Sequence, residues 1–199
     1  GLAVVGGREV LLSQALGRLF PNAGLSLTFV LFALLPAAWL YLRLRGVPWS
    51  EMMHGLGPHN IQVGGRDTTV RQQLKDTYSA IEEAKADTSG LWALQHLIDR
   101  GKLDADFQDT IYTTFLASIF RSLRFGINEA HGRGVAIQLN YFLDHGGVTV
   151  ASDGTFAVDG GRIRQNVSDL THDLMTLQAA GDYAAAKQMI DRLGVVRPP

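Results

Sequence analysis

From residue 68 onward, apolar residues recur at steps of three and four, the spacing of helices with one buried face. Val70, Leu74, Tyr78, Ile81 and Ala84 follow this period, predicting a long helix capped by Thr68 or Thr69. The stretch DTSGLWALQHLIDRG predicts a second, shorter helix, capped by Asp87 or Ser89 and stopped at Gly101. Residues 104–125 predict a third, with Phe107, Ile111, Phe115, Leu116, Ile119, Phe120 and Leu123 on its apolar side. INEAHGRGVAIQLNYFLDHGG reads as a helix closed by Gly146 and Gly147. The period then changes to two: VTVASDGTFAV, residues 148–158, alternates around Asp153-Gly154 and predicts a β-hairpin. Helices over residues 162–179 and 183–193, parted by Gly181-Asp182, complete the pattern. GLGPHNIQVGG, residues 55–65, is rich in turn formers and reads as a loop. The expected fold is mainly α with one small hairpin.

Composition changes this picture at two points. Eighteen Lys and Arg balance 19 Asp and Glu, which gives no basic footprint for nucleic acid. Cysteine is absent, so disulfides and thiolate-held zinc are ruled out, leaving His, Asp and Glu as metal ligands. Against a chain that is 46% hydrophobic, as an ordinary globular core requires, one segment stands apart. LSLTFVLFALLPAAWLYL, residues 25–42, carries no charge and is followed by Arg43 and Arg45. Its length reaches the lower limit of a membrane span, with Pro36 as an expected kink. It is too long and begins too late for a cleaved signal peptide. Two readings stay open: a membrane or buried hydrophobic helix, or a segment foreign to the design of the rest. The chain therefore divides into an apolar part, residues 1–50, and a helical domain, residues 51–199. The expected location is cytoplasmic, with a membrane anchor through residues 25–42 as the alternative.

Three stretches carry candidate chemistry. Glu51 and His54 lie three apart, on one helical face, like the second half of an H-E-x-x-H zinc helix; Ser50 stands where the first His would be. AIEEAKAD gathers Glu82, Glu83 and Asp87, the last two four apart on one face, where like charges repel unless a cation or base relieves them. The plainer reading is a solvated face with Lys85 as local partner. In GINEAHGRG, His131 near Glu129 and Arg133 at a helix start could hydrogen-bond a developing oxyanion, or be a neighbour of the cap with no chemistry. His59, in the loop, could approach a metal. His96, His145 and His172 read as ordinary helix residues.

EMMHGLGPHNI, TTVRQQLKDTYSAIEEAKAD and EAHGRGVAIQLNYFLDHGG together resemble the dipeptidyl-peptidase III family of zinc metallopeptidases, in particular its shorter bacterial members. The likeness runs from Glu51 to about the C-terminus. It rests on the His motif paired with a downstream E-E-x-[KR]-A-[DE] element. The resemblance implies a zincin-like helical catalytic half with zinc held by two His and the second Glu of that element. His54 matches the second His, Glu83 the carboxylate ligand, Glu51 the general base and His131 a histidine that steadies the tetrahedral intermediate. Glu82, Asp87 and Arg133 are the expected supporting residues. It also implies a peptide substrate, and a further N-terminal lobe in the longer family members.

Ser50 departs from that pattern. If structural zinc binding is worth about 10–16 kcal/mol over four ligands, an equal share makes the missing one worth about 3 kcal/mol, or over a hundredfold in affinity. Zinc is therefore expected to be weakly held or absent. The likeness ends at the same position, as it would after a frame error or chimeric gene prediction just before Glu51. Two functions follow as expectations: a zinc-dependent dipeptidyl-peptidase impaired at position 50, or an inactive helical scaffold, membrane-tethered through residues 25–42 and used for binding.

Overall fold

The computed structural model describes residues 49–197. The apolar segment 25–42 lies outside them. Among the described residues, no helix is long and apolar enough to cross a membrane.

The elements are, in order, α1 (Trp49–Met53), β1 (Asn60–Val63), β2 (Arg66–Thr69), α2 (Val70–Leu74), α3 (Tyr78–Asp99), α4 (Ile111–Leu123), α5 (Ala130–Asp144), β3 (Val148–Val150), β4 (Phe156–Val158), α6 (Gly160–Ala180) and α7 (Tyr183–Leu193). Helices dominate, as the periodicity predicts. The hairpin expected at 148–158 forms, with Val148 opposite Val158 and Val150 opposite Phe156. A second hairpin replaces part of the expected loop: β1 pairs antiparallel with β2, Asn60 opposite Thr69 and Val63 opposite Arg66. Gly64 (φ 58°) and Gly65 (φ 76°) both take positive φ, the demand of a two-residue turn that matches strand twist. Turn residues were legible here; the four-residue strands beside them were too short to show a period.

The long helix expected from Thr68 is divided. Thr69 caps α2 through a reciprocal pair of bonds: the Gln72 amide donates to Thr69 Oγ1 and the Thr69 amide to Gln72 Oε1, each at 3.2 Å. Lys75 then turns the chain at φ 52°, and a 3-10 turn, Lys75–Thr77, leads into α3. Contacts with the last helix hold this break, since the Lys75 ammonium lies 5.1 Å from the Tyr183 ring centre. α3 in turn runs through the expected caps at Asp87 and Ser89 and through Gly90 without interruption. It is buried on most of its circumference, and packing there outweighs the helix cost of Ser, Asp and Gly.

α3 is the axis of the unit, packed against α1, α5 and α6. Leu74, Ile81, Ile119, Ile137, Phe142, Ile163, Leu170 and Leu174 are fully buried around it. Phe107, expected on the apolar side of a helix from 104, lies instead in a 3-10 turn, Ala105–Asp109, and is 56% exposed. The change of helix type rotates its side chain away from the stripe formed by Tyr112, Leu116 and Ile119 in α4.

Candidate functional site

α1 ends at Met53, and His54 opens the turn that follows, with Glu51 exposed one turn earlier. The His54 ring is presented to two consecutive carboxylates of α3. Its Nδ1 lies 3.2 Å from Glu82 Oε1, and its Nε2 lies 3.7 Å from Glu83 Oε2. A neutral imidazole donates from one nitrogen only. The shorter contact is within hydrogen-bond range and a carboxylate only accepts, so Nδ1 donates to Glu82 Oε1, while Nε2 is the ring atom turned toward Glu83.

The acidic stretch is not a solvated face. Glu82 is buried, its Oε1 2.7 Å from Lys85 Nζ, and its Oε2 accepts from Gln178 Nε2 of α6 at 2.7 Å. Lys85 is fully buried and also donates to the carbonyls of Met53 (2.8 Å) and Leu56 (2.7 Å). A buried charge persists only where it is paired and its hydrogen bonds are met, and the Glu82–Lys85 pair satisfies both conditions. Glu83, by contrast, keeps a partly exposed side chain.

α5 brings the third stretch. His131 lies in its first turn, with Nδ1 3.4 Å from the same Glu83 Oε2 that faces His54. Gly134, three residues on and so on the same face, makes this approach possible. A β-carbon there would stand 2.9 Å from Glu83 Cβ and 3.0 Å from the Ala84 nitrogen. Asp87, one turn beyond Glu83, accepts from Gln138 Nε2 of α5 at 3.2 Å, within the α3–α5 interface.

The remaining candidates are placed elsewhere. The half-buried Arg133 packs toward the C-terminal segment, where a β-carbon on Gly194 would meet its Cγ at 2.9 Å. His59 is exposed, His96 stacks on Trp92, His145 stacks on Tyr141, and His172 is exposed beside Asp173. Sequence reasoning missed Gln178, Gly134 and the burial of Lys85. For Lys85 a signal existed: Ala84 and Ala86 flank it, and small residues on successive faces mark a helix closely surrounded.

No protein-family model matches this chain. Among solved structures it is similar to dipeptidyl-peptidase III from Corallococcus sp. strain EGB, at 61% identity and a TM-score of 0.74, over 75% of this chain and 28% of that one. The likeness supports the dipeptidyl-peptidase III family. DPP III from Caldithrix abyssi is similar at 44% identity and a TM-score of 0.72, over 74% of this chain and 28% of that one. Among curated proteins, Nudix hydrolase 3 of Arabidopsis thaliana is 44% identical over 150 residues, which is 75% of this chain and 19% of that protein. Its name describes a protein that lies mostly outside the match, whereas two solved structures point to a peptidase-family relationship. The chain spans less than a third of the length of each of these relatives.

Catalytic zinc takes three protein ligands and structural zinc four. His54, from the turn after α1, and Glu83, from α3, offer two donors that face each other. Among the described residues, no group of three or more His, Asp or Glu side chains is arranged to hold a metal ion. His131 approaches Glu83 but completes no such group. The residues present therefore do not fit a tightly held zinc ion.

Proposed function

We propose that residues 51–199 correspond to the helical part that bears the metal in a dipeptidyl-peptidase III-type hydrolase, left here with little or no peptidase activity by Ser50. The observation that carries this reading is the convergence of two histidines, His54 from the α1 turn and His131 from α5, on one carboxylate oxygen of Glu83 in α3. In this reading His54 and Glu83 are the remaining metal donors, and Glu82 orients His54 by accepting a hydrogen bond from its Nδ1–H. Glu51 is the base that takes a proton from the attacking water and returns it to the leaving amine. His131, exposed at the rim, donates to the oxyanion of the tetrahedral intermediate. Asp87 steadies the α3–α5 contact through Gln138. Arg133 supports α5 from the far side, against the C-terminal segment. The substrate class is short peptides, cut to release dipeptides from the N-terminus.

The paucity of donors favours a second reading, an inactive scaffold that binds without hydrolysis. Calorimetric zinc titration of the chain beside Ser50→His separates the two. The peptidase reading expects weak or undetectable zinc binding by the chain and a gain of about a hundredfold in Ser50→His, from one restored ligand. It also expects chelator-sensitive release of dipeptides to be negligible in the chain. No gain in zinc affinity would leave the scaffold.

A further inference from the structure

We propose that Lys85 is a positioning residue, fastening the His54 turn to α3. The proposal rests on the metallopeptidase reading only for its consequence in metal affinity. An ammonium group has three N–H donors, and Lys85 has three acceptors: Met53 O at 2.8 Å, Leu56 O at 2.7 Å and Glu82 Oε1 at 2.7 Å. The two carbonyls bracket His54 in the chain. Glu82 Oε1 is also the oxygen that faces His54 Nδ1. One side chain therefore fixes both the backbone on either side of the histidine and the carboxylate that sets its ring.

Burial makes the arrangement directional. Lys85 is fully buried, so water has no access to take over its bonds. Glu82 is secured independently by Gln178 at its other oxygen, so the lysine and its carboxylate stand still while the turn is held against them. A structural ion pair would need only Glu82 and Lys85. The other two N–H groups of the buried ammonium also need acceptors, and the acceptors that meet them are the backbone carbonyls on either side of His54.

Hydrogen exchange of the full chain tests this without metal. The amides of Gly55 and Leu56, bonded to the carbonyls of Met52 and Met53, are compared with those of α6 in the unaltered chain, in Lys85→Met and in the milder Lys85→Gln. Positioning predicts local opening: at least about tenfold faster exchange at the two turn amides, α6 unchanged, and recovery in Lys85→Arg. In the Ser50→His background, Lys85→Met should then weaken zinc by about 10–100-fold, the usual effect of removing a group that orients a ligand. Unchanged exchange at Gly55 and Leu56 overturns the proposal. So does acceleration of all amides together without recovery in Lys85→Arg, or failure of both neutral variants to fold. If exchange behaves as stated but Ser50→His takes up no zinc, the metallopeptidase reading falls and the positioning role stands.

Discussion

A methyl group at position 134 would press on the β-carbon of Glu83 at 2.9 Å and on the backbone of α3 at 3.0 Å. Neither neighbour is a flexible side-chain end, so Gly134→Ala must push α5 away from α3. Overpacking of this kind costs about 1–3 kcal/mol, and the same displacement carries His131 away from Glu83. Urea denaturation should show that loss, and an NMR contact between the His131 ring and Glu83 should weaken. The residues around this contact were unevenly readable. His54, Glu83 and His131 stood out because a short motif joined them to a known pattern. Gln178 carried no local sign, because its partner Glu82 lies 96 positions away and nothing in a single sequence encodes that pairing. Lys85 is the local partner that the plainer reading made it, but not on a solvated face, since tertiary packing closes over it.

At the scale of elements, the break between α2 and α3 stores strain that the sequence did not announce. Lys75 adopts φ 52° and ψ −124°, a region open to glycine and costly for other residues. Relieving about 2 kcal/mol of strain with Lys75→Gly, against about 1 kcal/mol for glycine's extra chain entropy and about 0.5 kcal/mol for the lost contact with the half-buried Tyr183 ring, should stabilise the fold by about 0.5 kcal/mol. A higher urea midpoint at unchanged slope is the expected result. Element type was otherwise readable wherever the period was long and clean: α5, α6, α7 and the β3–β4 hairpin lie close to where the pattern put them. It failed where packing overrode local preference. α3 swallowed two good cap residues because neighbours enclose it, and the β1–β2 hairpin hid in a stretch dominated by its own turn.

Across the whole unit, two buried phenols link stability to alkaline pH. Burial pushes the Tyr112 hydroxyl up to about 12. Burial, reinforced by Asp173 and Asp169, does the same for Tyr141. The unfolded chain ionises these groups from about pH 10, so it binds fewer protons than the folded one between pH 10 and 12. Their contribution is fully present below pH 10 and is lost as pH rises through that window, by at most about 3 kcal/mol for each tyrosine. Denaturation midpoints measured from pH 8 to 11.5 should fall steeply, and the double variant Tyr112→Phe, Tyr141→Phe should flatten the fall.

The tie between Glu82 and Gln178 has one more consequence, in time rather than in space. During synthesis α3 leaves the ribosome well before α6, so the carboxylate beside His54 waits for a partner encoded nearly a hundred codons later. A nascent chain paused before α6 would leave Glu82 Oε2 without its amide donor, held only through its other oxygen by Lys85 and His54.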